Sequence, residues 1–117
     1  MGFKMPIQYI VILTTTPSRD VSLKIARELV RKRLVACVNI VPGIYSVYLW
    51  KGNVEEDREE LLIMKTRKEL INEVIKLIRE LHPYEVPEII SLSISEGYEE
   101  YLRWINDVVY IKVRKGK

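Results

Sequence analysis

Two long apolar strand patterns stand back to back near the middle of the chain. The first occupies residues 35–41, pauses at Pro42-Gly43, resumes over residues 44–50 and turns at Lys51-Gly52-Asn53; the second fills residues 54–66. An unbroken strand over 54–66 would be roughly 40 Å long at about 3.3 Å per residue, where ordinary strands run to about 5 or 6 residues, so its far half must overhang the rest of the domain. In the overhang Tyr45, Val47 and Leu49 fall on one side, Tyr48 and Trp50 on the other. A solvated hairpin alternates apolar with polar instead. Something covers the second face, and another copy of the chain is the simplest candidate.

The remaining elements follow from the same kind of pattern. Residues 8–15 read as a buried strand rich in branched side chains, ended by Thr16-Pro17-Ser18. Ser18 or Asp20 then caps a helix whose stripe is Val21, Ile25, Leu29 and Val30. Arg27, Arg31, Lys32 and Arg33 gather at its C-terminal end, where the helix dipole favours cations. A second helix is announced by the capping box Thr66-Arg67-Lys68-Glu69, carries Leu70, Ile71, Val74, Leu77, Ile78 and Leu81 on one face, and stops at His82-Pro83. Residues 88–93 form another strand, Tyr98, Tyr101, Leu102 and Ile105 space a third helix, and a last strand-like piece covers 108–113.

That order is β-α-β-β-α-β plus a C-terminal helix, with residues 1–117 forming one domain. It is the split βαβ, or ferredoxin-like, topology of the α+β class: an antiparallel sheet with both long helices on one face. The other sheet face is left bare. Sheets facing inward about a threefold axis would bury it together with the overhanging hairpin.

Composition changes this picture little. Hydrophobic residues at 48% and charged residues at 30% describe a soluble globule, and the net charge of +3 names no partner. No apolar run approaches the roughly 18 residues of a membrane helix. The opening Met1-Gly2-Phe3-Lys4-Met5-Pro6 lacks the apolar core of a signal peptide, and Pro6 does not fit a myristoylation signal, so a cytoplasmic protein is expected.

The residues resemble the CutA family of divalent-cation-tolerance proteins over residues 9–104. The resemblance is carried by Ala36-Cys37-Val38-Asn39, by Trp50-Lys51-Gly52 with Glu55 and Glu59, by Lys65-Thr66, by His82-Pro83-Tyr84-Glu85-Val86-Pro87-Glu88, and by Tyr101-Leu102 with Trp104. Their combination and order are highly specific. The resemblance implies a homotrimer with the architecture of PII signalling proteins, and a link to copper and other divalent metals.

Candidate chemistry is sparse. Thiolate, imidazole and carboxylate are the ligands expected for copper or zinc, and the chain has one cysteine, Cys37, and one histidine, His82. They lie 45 residues apart with no CxxC or HxxxH pair, so a shared metal site needs the fold or a symmetry axis to join them. Otherwise Cys37 is a buried thiol within a strand and His82 satisfies a carbonyl at a helix end. Family members carry further cysteines where this chain has Thr14 and Leu77, which counts against a multi-thiolate site here.

A second constellation is acidic. Glu55, Asp57 and Glu59 fall on one strand face with neighbours about 7 Å apart, a spacing that suits a hard cation, an acid/base pair or simply a solvated strand edge. Glu59 and Lys65 stand where the fold places subunits together, and a charge there must be paired or bind a ligand. With Tyr84 and Trp50 they form a candidate intersubunit cleft for a small effector.

Enzyme motifs are lacking: the chain has no GxSxG, HExxH, P-loop or GxGxxG. RNA recognition on this topology stacks bases on central-strand aromatics, yet Leu61-Leu62-Ile63-Met64 offers none, and the basic residues near the chain end read as a solvated face. The expectation is a non-enzymatic trimer that binds copper, another divalent metal or a small effector between subunits, with neither nucleic acid nor membrane as a partner. The competing expectation is a scaffold trimer that presents a protein-binding surface without a ligand.

Overall fold

The computed structural model describes residues 6–109. They run β1 (Tyr9–Thr16), α1 (Arg19–Arg31), β2 (Cys37–Trp50), β3 (Asn53–Arg67), a 3-10 turn (Lys68–Leu70), α2 (Ile71–Leu81), β4 (Ile89–Ser93) and α3 (Glu99–Val108). All pairings in the sheet are antiparallel and its order is β2-β3-β1-β4. This is the expected α+β, ferredoxin-like arrangement.

Alternation along the strands decides which residues meet the helices. Ile10 and Ile12 of β1, with Leu62 and Met64 of β3, pack against Ile25 and Leu29 of α1 and Val74 and Ile78 of α2. Each such side chain, fully buried, contributes about 1.5–3 kcal/mol. Of the two candidate caps it is Ser18 that starts α1: its backbone is extended and its hydroxyl accepts the Val21 N–H at 3.3 Å, while Asp20 sits in the first turn. Val30 lies on the outer side of α1, exposed, and Ser22 and Ala26 complete the buried stripe instead.

Three local expectations give way to tertiary structure. The capping box does not form: Thr66 and Arg67 stay extended because they pair with Ile10 and Tyr9, and the Thr66 hydroxyl donates to the Leu34 carbonyl at 2.7 Å. Arg67 pairs with Glu69 at 2.5 Å, and a 3-10 turn precedes the helix. In α3 only Ile105 of the expected stripe is buried. Leu102 packs against the core from its rim, and Tyr98 and Tyr101 face outward. The expected strand over 108–113 is not seen at its start, since Val108 closes α3; residues 110–113 lie outside the described part of the chain.

Strands β2 and β3 pair from Cys37↔Lys65 to Trp50↔Asn53, with a shift of register between Val41 and Ile44. Pro42 has no N–H to give the ladder and Gly43 adopts φ +77, so the two residues form a bulge rather than a break. The hairpin turns through Lys51 (φ 50) and Gly52 (φ 83), the positive-φ pair that matches the twist of the strands. Nothing lies within 4 Å of a Cβ built on Gly52, so Gly52→Ala tests backbone strain alone. We expect it to lower stability by about 1–2 kcal/mol in urea unfolding.

Strand β1 accompanies β3 only as far as Thr16↔Glu60, so the rest of the hairpin projects alone and stretches the molecule to 57 × 33 × 26 Å. The sheet face away from α1 and α2 carries Val11, Leu13, Leu61, Ile63, Ile90 and Leu92, broken by Cys37, Asn39 and Lys65. No helix among the described residues is long and apolar enough to cross a membrane.

Candidate functional site

At the base of the projecting hairpin, pleating places Glu55, Asp57 and Glu59 on the side continuous with the bare sheet face, and Tyr45, Val47 and Leu49 on the other. Phenols from β2 serve one carboxylate on each side of the hairpin. Tyr48 donates to Asp57 Oδ2 at 2.5 Å, and Tyr45 donates to Glu56 Oε1 at 2.9 Å. The bond to Asp57, with the surrounding negative charge, pushes the Tyr48 phenol up to about 12.

Glu59 differs from its neighbours in being only 7% exposed. The segment after α2 covers it. His82 ends the helix in an extended conformation, the pyrrolidine of Pro83 restricts the chain, and Tyr84 donates its hydroxyl to Glu59 Oε2 at 2.5 Å. His82 anchors this segment from behind: its Nε2 lies 2.7 Å from the Thr15 carbonyl, and its Nδ1 accepts the Tyr84 N–H at 3.2 Å. The rings of His82 and Tyr84 lie 4.6 Å apart. Burial, then the Glu59 hydrogen bond, raises the Tyr84 phenol well above the ordinary tyrosine range, so it stays a donor.

Among the described residues no cation forms an ion pair with Glu59, and the oxygen that Tyr84 leaves free, Oε1, has no hydrogen-bond partner and is open to solvent or a ligand. The adjacent Glu60, by contrast, meets the Arg19 guanidinium at 3.1 Å, which holds its carboxyl below the usual range.

The candidate cleft residues divide within one chain. Glu59 and Tyr84 meet. Lys65 lies six residues along β3, about 20 Å away, and its ammonium donates to Asn39 Oδ1. Trp50 lies at the hairpin tip, its ring 5.6 Å from the Lys51 ammonium. Cys37 pairs with Lys65 in the sheet, its thiol 4.0 Å from Asn39 Oδ1, toward the opposite end of β1 from the Thr15–His82 contact. No three His, Cys, Asp or Glu side chains converge on a metal position among the described residues. Any site joining Lys65, Trp50 or Cys37 to Glu59 therefore needs a second chain.

Sequence reasoning missed the phenol donors of β2, Tyr45 and Tyr48. Tyr48 reads as apolar cover for the hairpin, yet its register partner Glu55 puts Asp57 on the diagonal, within reach of an aromatic hydroxyl.

A family model described as CutA1 divalent ion tolerance protein matches residues 10–108. The divalent-cation tolerance protein CutA of Thermus thermophilus is 50% identical over 97 residues, which are 83% of this chain and 94% of that protein. A crystal structure of CutA1 from Oryza sativa superposes with a TM-score of 0.88 at 40% identity, covering 91% of this chain and 97% of that one. The chloroplastic CutA protein of Arabidopsis thaliana is 47% identical over 98 residues; the match takes in 84% of this chain but only 54% of that longer protein.

Proposed function

The chain belongs to the CutA1 divalent ion tolerance family, and from that premise we propose that it is a homotrimer that binds a divalent cation or small effector between its subunits. In this reading it acts in metal response by binding, in the manner of PII proteins, and not by catalysis. The observation that carries the reading is Glu59: a carboxylate 7% exposed, with one oxygen taken by Tyr84 and no cation beside it among the described residues. Such a charge is costly to bury unless a cation or a set of donors arrives to meet it. The bare sheet face and projecting hairpin supply the surfaces on which subunits would close over it.

Native mass spectrometry of protein purified without chelator or tag tests the reading, followed by titration with Cu2+, the divalent ion of highest general affinity. We expect a trimer mass, copper uptake by the wild type, and affinity lowered by roughly tenfold or more in Glu59→Gln, as for a lost ligand oxygen. Copper uptake that survives Glu59→Gln and disappears in Cys37→Ser would move the site to the thiol. The outward aromatic face of α3, where the rings of Tyr101 and Trp104 lie 5.4 Å apart, favours the second reading of a trimer that presents a partner surface. A trimer that takes up neither metal nor effector would select it.

A further inference from the structure

We infer that His82 is a positioning residue for the Glu59 carboxylate: held in a single neutral tautomer, it fixes the Tyr84 segment so that the phenol meets Glu59. Its two hydrogen bonds determine the tautomer independently and agree. The Thr15 carbonyl oxygen accepts and cannot donate, so the 2.7 Å contact requires a proton on Nε2. The Tyr84 backbone N–H donates to Nδ1 at 3.2 Å, so Nδ1 carries none. With the residue 7% exposed and both nitrogens engaged, neither is free to coordinate a metal unless a buried hydrogen bond breaks.

The fold explains why this holds Tyr84. Thr15 lies near the end of β1, in register with Leu61 of β3, two residues from Glu59. His82 thus hooks the end of α2 to the strand beside the one that carries the carboxylate. Its Nδ1 then fixes the Tyr84 amide directly, Pro83 limits the link between them, and the ring contact at 4.6 Å restricts the phenol. Contact with the carboxylate belongs to Tyr84; His82 acts through it.

The binding consequence rests on the reading of Glu59 as a ligand oxygen, whereas the tautomer and the phenol can be read without it. Because His82 is the chain's one histidine, nitrogen–proton NMR of the imidazole reports its tautomer without assignment. The Nε2–H tautomer is expected; an Nδ1–H form, or rapid exchange between the two, would overturn the inference.

Two substitutions separate the roles of the ring nitrogens. His82→Asn keeps an acceptor where Nδ1 stood, and His82→Gln keeps a donor where Nε2 stood. In proton NMR, with Tyr84→Phe marking the signal, the asparagine variant should retain the exchange-protected Tyr84 hydroxyl bonded to Glu59 and the glutamine variant should lose it. Copper affinity should follow, within about threefold of wild type for asparagine and roughly tenfold weaker for glutamine, the scale seen for partners that orient a ligand. Equal behaviour of the two variants would show a merely structural histidine and defeat the inference. If the wild type binds no Cu2+, the reading of Glu59 as a copper ligand falls while the tautomer and the phenol still decide this one; a glutamine variant that fails to fold leaves the decision to the tautomer.

Discussion

Leu13→Asp should break the assembly into folded monomers, and Trp50→Asp should weaken it. Leu13 lies in the middle of the bare sheet face, flanked in register by Ile63 and Ile90, the latter 50% exposed in the single chain. A carboxylate placed there stays hydrated in a monomer and is desolvated when a second sheet closes over it, so the whole penalty of several kcal/mol falls on association. Trp50 acts at the hairpin tip, where Leu49 and Val54 are about 70% exposed. In sedimentation velocity at micromolar concentration, the wild type should run at three times the 13.8 kDa chain mass and Leu13→Asp at one, with unchanged far-ultraviolet circular dichroism. A wild type that sediments as a stable, folded monomer would remove the trimer and the intersubunit site with it.

The parts of the fold that were legible in the sequence are those where local pattern and tertiary demand agree. Strands β1, β3 and β4 fall within a residue or so of their expected places, because branched alternation persists wherever one face packs on helices. The projecting hairpin was legible from its excess of apolar groups, and its turn from Lys51-Gly52-Asn53. Thr66-Arg67-Lys68-Glu69 misled because a capping box is a local preference worth about 1 kcal/mol, and a ladder that continues to Tyr9↔Arg67 outweighs it. The site was half legible. Glu59 and Tyr84 stand 25 residues apart, and the two backbone hydrogen bonds of His82, to the Thr15 carbonyl 67 residues away and from the Tyr84 N–H that it fixes, leave no mark in the sequence pattern. Lys65 shares the strand of Glu59 but lies about 20 Å along it, so a cleft that joins the two takes a second subunit.

Lys65→Met should destabilise the assembled protein by about 3–5 kcal/mol, the effect of removing one partner from a buried ion pair. The Lys65 ammonium stands on the apolar face between Val11 and Cys37, and its one side-chain hydrogen bond among the described residues goes to the neutral Asn39. Once a second subunit covers that face, an amide oxygen cannot offset a desolvated charge, so the covering chain or an anionic effector must bring a negative group. Glu59 of the same chain is about 20 Å away and cannot be that group. The proposed function assigns Glu59 to a ligand, so Lys65→Met and Glu59→Leu should be additive within about 0.5 kcal/mol in chemical denaturation of the trimer. A double mutant that recovers most of the loss would place Glu59 of one subunit against Lys65 of the next, and the buried carboxylate would then need no cation from solution. A Lys65→Met trimer more stable than the wild type would show that no anion meets the ammonium, and that the sheets close over this face by apolar contact alone.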